Sequence, residues 1–188
     1  NLKQVIYLSI LGARENALNR CHATKAEAEK LLMKSSVPAT IFRVPMVLGE
    51  GDYASAALSR AVGAKLSVTF RSGSLEQPIY VGDVVEAVVS ALKLRDALGI
   101  CDLAGPTSLS RRDLYRRAGF RGQLVSLPLF VGTIVGFLME KLSANPPFTR
   151  DMLGVLDHDD LVDSTLIYEK LALTPTELPT MLARVLAK

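Results

Sequence analysis

Residues 5–44 read VIYLSILGARENALNRCHATKAEAEKLLMKSSVPATIFRV, and this stretch decides the fold. Val5 to Leu11 is a near-continuous apolar run with β-branched Val5 and Ile6. Such a run suits a strand buried on both faces, as in a parallel sheet. Gly12 ends it. Residues 14–34 follow with helical spacing, and Ala17, Cys21, Thr24, Ala28, Leu31 and Leu32 fall on one face;. Ala39 to Arg43 reads as a second strand, punctuated by Pro38 and Pro45;. Strand, helix and strand joined by a long crossover make the parallel βαβ unit.

Beyond this unit the texture is mixed. GEGDY at 49–53 is a loop, 54–64 a helix, 66–70 a strand and RSGS at 71–74 a turn. Residues 78–81 form a short strand leading into a helix whose stripe is Val84, Val85, Val88, Val89 and Leu92. Asp83 suits the positive end of that helix, a structural role. A strand is expected at 100–103. Ser110 with Asp113 resembles a capping box. A strand at 123–127 and helices near 128–142, 149–156 and 176–187 complete the reading. Residues 122–139 carry no charge. Pro128 splits them, so a buried strand plus helix is expected, with a membrane-surface helix across 122–142 as the first alternative and a true span as the second.

The 188 residues suit one domain or one domain with an appendage; they are 49% hydrophobic and 22% charged, enough for a sizeable core;. The net charge of +3 is spread along the chain, which argues against a nucleic-acid partner;. The densest basic group, Arg111, Arg112, Arg116 and Arg117, reads as a solvated helix face. Two cysteines exclude a disulfide scaffold and suggest a reducing compartment, hence a cytoplasmic protein;. No Cys/His cluster points to a metal. The chain opens on Asn1, directly before the first strand, with no targeting segment ahead of it; a missing N-terminal part is the expectation;.

Several strings, in order, resemble the extended and atypical short-chain dehydrogenase/reductase superfamily, the NAD-dependent epimerase/dehydratase group. VIYLSILGA (5–13) resembles the strand that carries its active-site serine, and ATKAEAEKLL (23–32) the helix with its catalytic lysine. TIFRVPMVLGEGD (40–52), PIYVGDVVEAVVSAL (78–92) and CDLAGPTSLSRRDL (101–114) resemble later family segments. The LPL run, PPFTRDML, D-x-L-V-D and LTPTEL are most similar to the NAD(P)-binding relatives of the Rossmann-like accessory subunit of respiratory complex I, with NmrA-like regulators next. The resemblance implies an α/β fold: the C-terminal half of a doubly wound Rossmann-like parallel sheet plus a small, mostly helical region. Residues 1–50 would belong to the Rossmann-like part, and 51–188 would hold the remaining strands and the helical substrate-binding region. Family members begin with a glycine-rich G-x-x-G-x-x-G turn that cradles the pyrophosphate. No glycine here starts that motif. The missing half, or a second copy of the chain, is therefore expected as a partner at the sheet.

The resemblance also implies a cofactor, NAD or NADP, and a set of site residues. Active members pair a tyrosine with a lysine one helical turn later. Lys25 matches the lysine, as a ribose contact, but the tyrosine position holds Cys21. Cys21 could serve as the acid/base, because a thiol near a lysine titrates closer to neutrality; a small residue on the helix core face is the other reading. His22 reads as a surface or cofactor-edge histidine. Ser9 matches the first of the family's strand-end serines, either catalytic or merely near the cofactor. Arg43, Pro45, Met46 and Val47 match the loop beside the nicotinamide. Arg71 and Gly73 sit where substrate-loop residues would lie. Three readings follow: an NAD(P)-dependent oxidoreductase or epimerase-like protein with a degraded site, a non-catalytic NADPH-binding subunit of a larger assembly, and an interaction module.

Overall fold

The computed structural model describes residues 2–94, 96–142 and 149–187. Its central sheet has the order β1-β2-β7, all parallel, from β1 (Val5–Ile10), β2 (Ala39–Val44) and β7 (Gly99–Asp102). Val5 stands opposite Ala39 and Ile10 opposite Val44. The helix α1 (Arg20–Lys34) makes the β1–β2 crossover. The βαβ reading of residues 5–44 therefore holds.

Three details depart from expectation. The helix starts at Arg20 rather than near residue 14, because Asn16 takes a left-handed φ of 64° and the Asn19 side chain caps the helix by accepting from the His22 amide;. Its buried residues are His22, Ala26 and Glu29, whereas Thr24 and Leu31 face out. The sheet-facing side carries a polar network, so apolar spacing pointed to the wrong face. β1 is not buried on both faces: Val5 to Tyr7 are half-buried and Leu8 is exposed. The amides of Val5 and Leu11 bond to Pro38 and Val44, so Ile6, Leu8 and Ile10 turn their backbone groups toward the other edge, which no described strand pairs;.

The remaining elements are short. β3 (Val47–Leu48) pairs in parallel with β6 (Ile79–Tyr80), β4 (Leu66–Phe70) in parallel with β9 (Gln123–Leu127), and β5 (Leu75–Glu76) antiparallel with β8 (Leu109–Ser110). The helices are α2 (Tyr53–Val62), α3 (Val81–Lys93), α4 (Arg111–Arg117), α5 (Leu129–Leu142), α6 (Arg150–Gly154), α7 (Thr165–Leu171) and α8 (Leu178–Leu186). The pattern does not anticipate α7, β3, β5 or β8. The Ser110 cap forms as expected, accepting from the Asp113 amide at 3.0 Å. Part of the PPFTRDML string, residues 146–148, lies outside the described residues.

Two cores result. Phe42, Val44, Ile79, Val84, Leu103 and Tyr168 fill the space between the sheet, α3 and α7. Leu48, Leu58, Leu114, Leu178, Met181 and Val185 join α2, α4 and α8. The α3 stripe is only half used: Val84, Ala87 and Ala91 are buried, while Val85, Val89 and Leu92 are exposed. Likewise α5 is not a buried helix. Its glycines, Gly132 and Gly136, face the protein against Phe70, Leu153 and Arg150, and Phe130, Ile134, Leu138 and Leu142 are exposed. Among the described residues no helix is long and apolar enough to cross a membrane.

Candidate functional site

A lone arginine inside the apolar strand TIFRV needs an acceptor, because a buried charge survives only when paired. Arg43 finds it on α1. Its Nε and Nη2 donate to Glu29 at 3.0 and 2.5 Å, and the buried Ser9 hydroxyl donates to the same carboxylate at 2.5 Å. Burial pushes the Glu29 carboxyl up, but the hydrogen bonds from Arg43 and Ser9 outweigh it and hold the group below the usual carboxylate range;. Ser9 and Arg43 are thus brought together, in a network that locks α1 onto β1 and β2.

Lys25 sits on another side of α1. Its Nζ donates to the Leu8 carbonyl at 3.0 Å and lies 4.8 Å from the centre of the Tyr7 ring. It therefore stands at the unpaired edge of β1. Cys21, one turn earlier, is half-buried and free. His22 is not a surface residue: it is 3% exposed, and its Nε2 has no hydrogen-bond partner among the described residues. Burial lowers its pKa, and His158 and Arg14 lower it further.

At the carboxyl ends of β1 and β2 a cavity of about 160 Å³ opens between Ile10, Leu11, Val44, Pro45 and Met46 on one side and Glu76, Arg111, Leu156, His158 and Asp160 on the other. Ligands of open parallel sheets bind at this end of the strands. Pro45 and Met46 line the cavity; Ser9, Cys21, Lys25, Arg43 and Val47 do not. Arg111 is not on a solvated face either. It is 4% exposed, and it bonds Glu76 and the Phe70 carbonyl. Burial nevertheless raises the Glu76 carboxyl despite Arg111.

The segment 155–160 closes the cavity. Arg71, with a left-handed φ of 44°, donates to the Leu156 carbonyl at 2.9 Å and pairs with Asp157 at 3.1 Å, which holds that segment down. Gly73 has open space around it. His158 packs its ring over Gly12, and its Nδ1 lies 3.1 Å from Asp160 Oδ1. A larger cleft of about 850 Å³ lies beside it, between the start of α1 and α5–α6, lined by Arg14, Arg20, His22, Arg150 and Asp157 among others. Asp83 sits in the first turn of α3, but its carboxylate accepts from the Thr176 amide and hydroxyl at 2.7 and 2.6 Å, a tertiary contact that fastens the approach to α8.

Sequence reasoning missed Glu29, Glu76, His158 and Asp160. For Glu29 a signal was present: an unpaired arginine in a buried strand demands an acid, and Glu29 lies one turn beyond Lys25. Nothing local marks His158 or Asp160, which reach the cavity only through the tertiary fold.

No protein-family model matches the chain. Among curated proteins it is 28% identical, over 194 aligned positions, to the mitochondrial NADH dehydrogenase [ubiquinone] 1 alpha subcomplex subunit 9 of Arabidopsis thaliana. That alignment covers 94% of this chain and 48% of the plant protein. The chain thus spans about half the length of that relative. Solved structures agree in fold. A nucleoside-diphosphate-sugar epimerase from Staphylococcus aureus superposes with a TM-score of 0.69 at 16% identity, covering 96% of this chain and 64% of that one. A human epimerase family protein crystallised with NADPH gives 0.68 at 18%, covering 98% and 65%. The RMD protein of Pseudomonas aeruginosa, also complexed with NADPH, gives 0.65 at 12%, covering 97% and 65%. The parallel βαβ unit, its crossover and the strands beyond it are therefore arranged in the Rossmann-like α/β fold of the epimerase and short-chain dehydrogenase structures.

Proposed function

We propose that this chain is the nicotinamide-facing part of an NAD(P)-binding protein of the atypical short-chain dehydrogenase type, an oxidoreductase or an epimerase-like protein. The observation that carries the reading is the cavity at the carboxyl ends of β1 and β2, walled by Pro45 and Met46;. The residues present fit one end of the cofactor. The cavity would take the nicotinamide, and Lys25, at the open edge of β1, would hold its ribose. Cys21, Ser9, Arg43 and Val47 would shape the surroundings, Ser9 and Arg43 by fixing α1 through Glu29. Among the described residues no glycine-rich turn joins a strand to a helix N-terminus, so the pyrophosphate cradle lies elsewhere. When bound, the cofactor would supply hydride chemistry. The open β1 edge suits a further strand, from a missing N-terminal half or a second copy. Residues 1–50 and 51–188 remain the proposed division. Two free thiols favour a reducing, cytoplasmic setting;.

A second reading is a non-catalytic NADPH-binding subunit of a larger assembly. The similarity to the plant complex I subunit and the thiol in place of tyrosine favour it. The exposed apolar face of α5 fits that reading, as a docking surface on a partner or a membrane within 122–142;. Native purification of the full-length polypeptide, followed by nucleotide extraction and fluorescence titration with NADPH and NADH, tests both readings. Retained or saturable nucleotide that Lys25→Ala weakens supports them; turnover separates the first from the second. No binding at all refutes both.

A further inference from the structure

Where the resemblance implies a catalytic hydroxyl beside the tyrosine, just past Ser9 at the end of β1, the chain offers Ile10, Leu11 and Gly12. Space is left at Gly12 for another group. A Cβ built there would sit 2.6 Å from Cδ2 and 3.0 Å from Nε2 of His158, so only glycine admits the ring. His158 fills this space from the C-terminal segment and borders the cavity of Pro45 and Met46. Asp160 holds the ring from behind at 3.1 Å. Asp160 is itself fixed: it is 9% exposed, its amide donates to the Leu75 carbonyl at 3.0 Å, and its carbonyl accepts from the Ser108 hydroxyl at 2.8 Å. With Nδ1 turned to a carboxylate, Nε2 is the nitrogen left for chemistry, and it makes no hydrogen bond among the described residues. A third group, orienter, base and open nitrogen in sequence, is the arrangement by which histidines transfer protons.

We infer that His158, positioned by Asp160, is the proton-transfer residue of this site, in place of the tyrosine that Cys21 replaces. The inference rests on the nicotinamide reading above. In the reducing direction a bound nicotinamide would supply hydride, with its two electrons, to the carbonyl carbon of a substrate. As the π pair of the C=O bond goes to oxygen, the N–H bond at Nε2 of a protonated His158 would break and a new O–H bond would form. The imidazole would recover its proton from water at the cavity mouth, since the His158 side chain is 28% exposed. Other titratable and charged groups lie near the ring: His22 from α1, with ring centres 6.2 Å apart, and Glu76 and Arg111 across the cavity; Asp157 and Asp159 of its own segment pair with Arg71 instead.

The test uses the full-length polypeptide with NADPH and isatin, an aromatic dione, as the probe carbonyl. His158→Gln, with circular dichroism and NADPH affinity retained, is expected to lower kcat by about a hundredfold or more. Asp160→Asn is expected to move the basic limb of the kcat profile toward lower pH. Cys21→Ser is expected to leave that limb in place. A readout independent of turnover is the nitrogen chemical shift of the His158 ring. Neutral His158 is expected as the Nδ1–H tautomer, reverting to Nε2–H in Asp160→Ala, and its signals are expected to shift on saturation with NADPH. Three results overturn the inference while the binding reading stands: bound NADPH without turnover of isatin, an unchanged kcat profile in His158→Gln, or an Nε2–H tautomer in the native protein. Failure to bind NADPH at all is a different result, and it removes the nicotinamide reading together with this inference.

Discussion

Replacing Glu29 by alanine strands a half-buried guanidinium and a buried hydroxyl at once, and its cost can be worked from the structure. Removing one partner of a buried ion pair costs about 3–5 kcal/mol. The Arg43 side chain is 26% exposed, so water recovers part of this, and the loss falls to roughly 2–3 kcal/mol;. Ser9, 1% exposed, also loses its acceptor, which adds about 1–2 kcal/mol;. Glu29→Ala should therefore destabilise the fold by about 3–5 kcal/mol at neutral pH. Urea unfolding followed by circular dichroism measures it. The pH dependence follows from the direction of the Glu29 shift. The folded-state carboxyl is held below its unfolded value of about 4.3;. Its stabilisation is thus full above that value and disappears as pH falls through the folded value. The gap between native and variant should narrow only in that acidic window. The triple variant Ser9→Ala, Glu29→Leu, Arg43→Leu should be more stable than Glu29→Leu alone, because no polar group is then left unpaired. A Glu29→Ala penalty under about 1 kcal/mol, or one unchanged at acid pH, would refute the network as the lock between α1 and the sheet.

Three further outcomes are expected. Arg111→Met leaves Glu76 buried without its partner and should cost about 3–5 kcal/mol in urea unfolding, with Glu76→Leu restoring much of it in the double variant;. Gly105→Ala drives a methyl into the Pro78 carbonyl, a backbone atom that cannot turn aside, and should lower stability by about 1–3 kcal/mol by differential scanning calorimetry;. Phe130→Glu with Ile134→Glu alters exposed side chains only; stability should hold within about 0.5 kcal/mol;. Flotation with anionic vesicles should then show whether α5 is the docking face: binding by the native protein that the double variant loses supports it, and no binding by either refutes the membrane version.

The fold was legible where chain chemistry is local. Val5–Ile10, Ala39–Val44 and the helix between them announce themselves by run length, Gly12 and the flanking prolines. The Ser110 cap and the strand at 123–127 are of the same kind. What was not legible is the direction in which a helix faces when its packed side is polar. On α1 the apolar residues Leu31 and Met33 lie outside, and Glu29 lies inside. Arg111 misled for the same reason, since an arginine in a basic cluster carries no local sign that Glu76 waits for it. The site divided along similar lines. Pro45 and Met46 reach the cavity from a strand-end string, but the opposite wall combines Glu76 and Arg111 from the middle of the chain with Leu156, His158 and Asp160, more than a hundred positions away.

That long reach has a consequence for synthesis. The central loops are fastened by the last part of the chain: Gln77 bonds the Val162 backbone, Ala104 bonds the Ser164 hydroxyl, and Asp83 takes both its contacts from Thr176. The segments 66–70 and 123–127 must also find one another across much of the sequence. Pairings of such high sequence separation form slowly. A nascent chain stopped just short of Thr176 would leave Asp83 without both its partners and would expose the apolar wall that α8 covers. Folding would therefore finish only once these later segments have left the ribosome, and until then chaperones, rather than the chain's own contacts, would have to guard the open edge of β1.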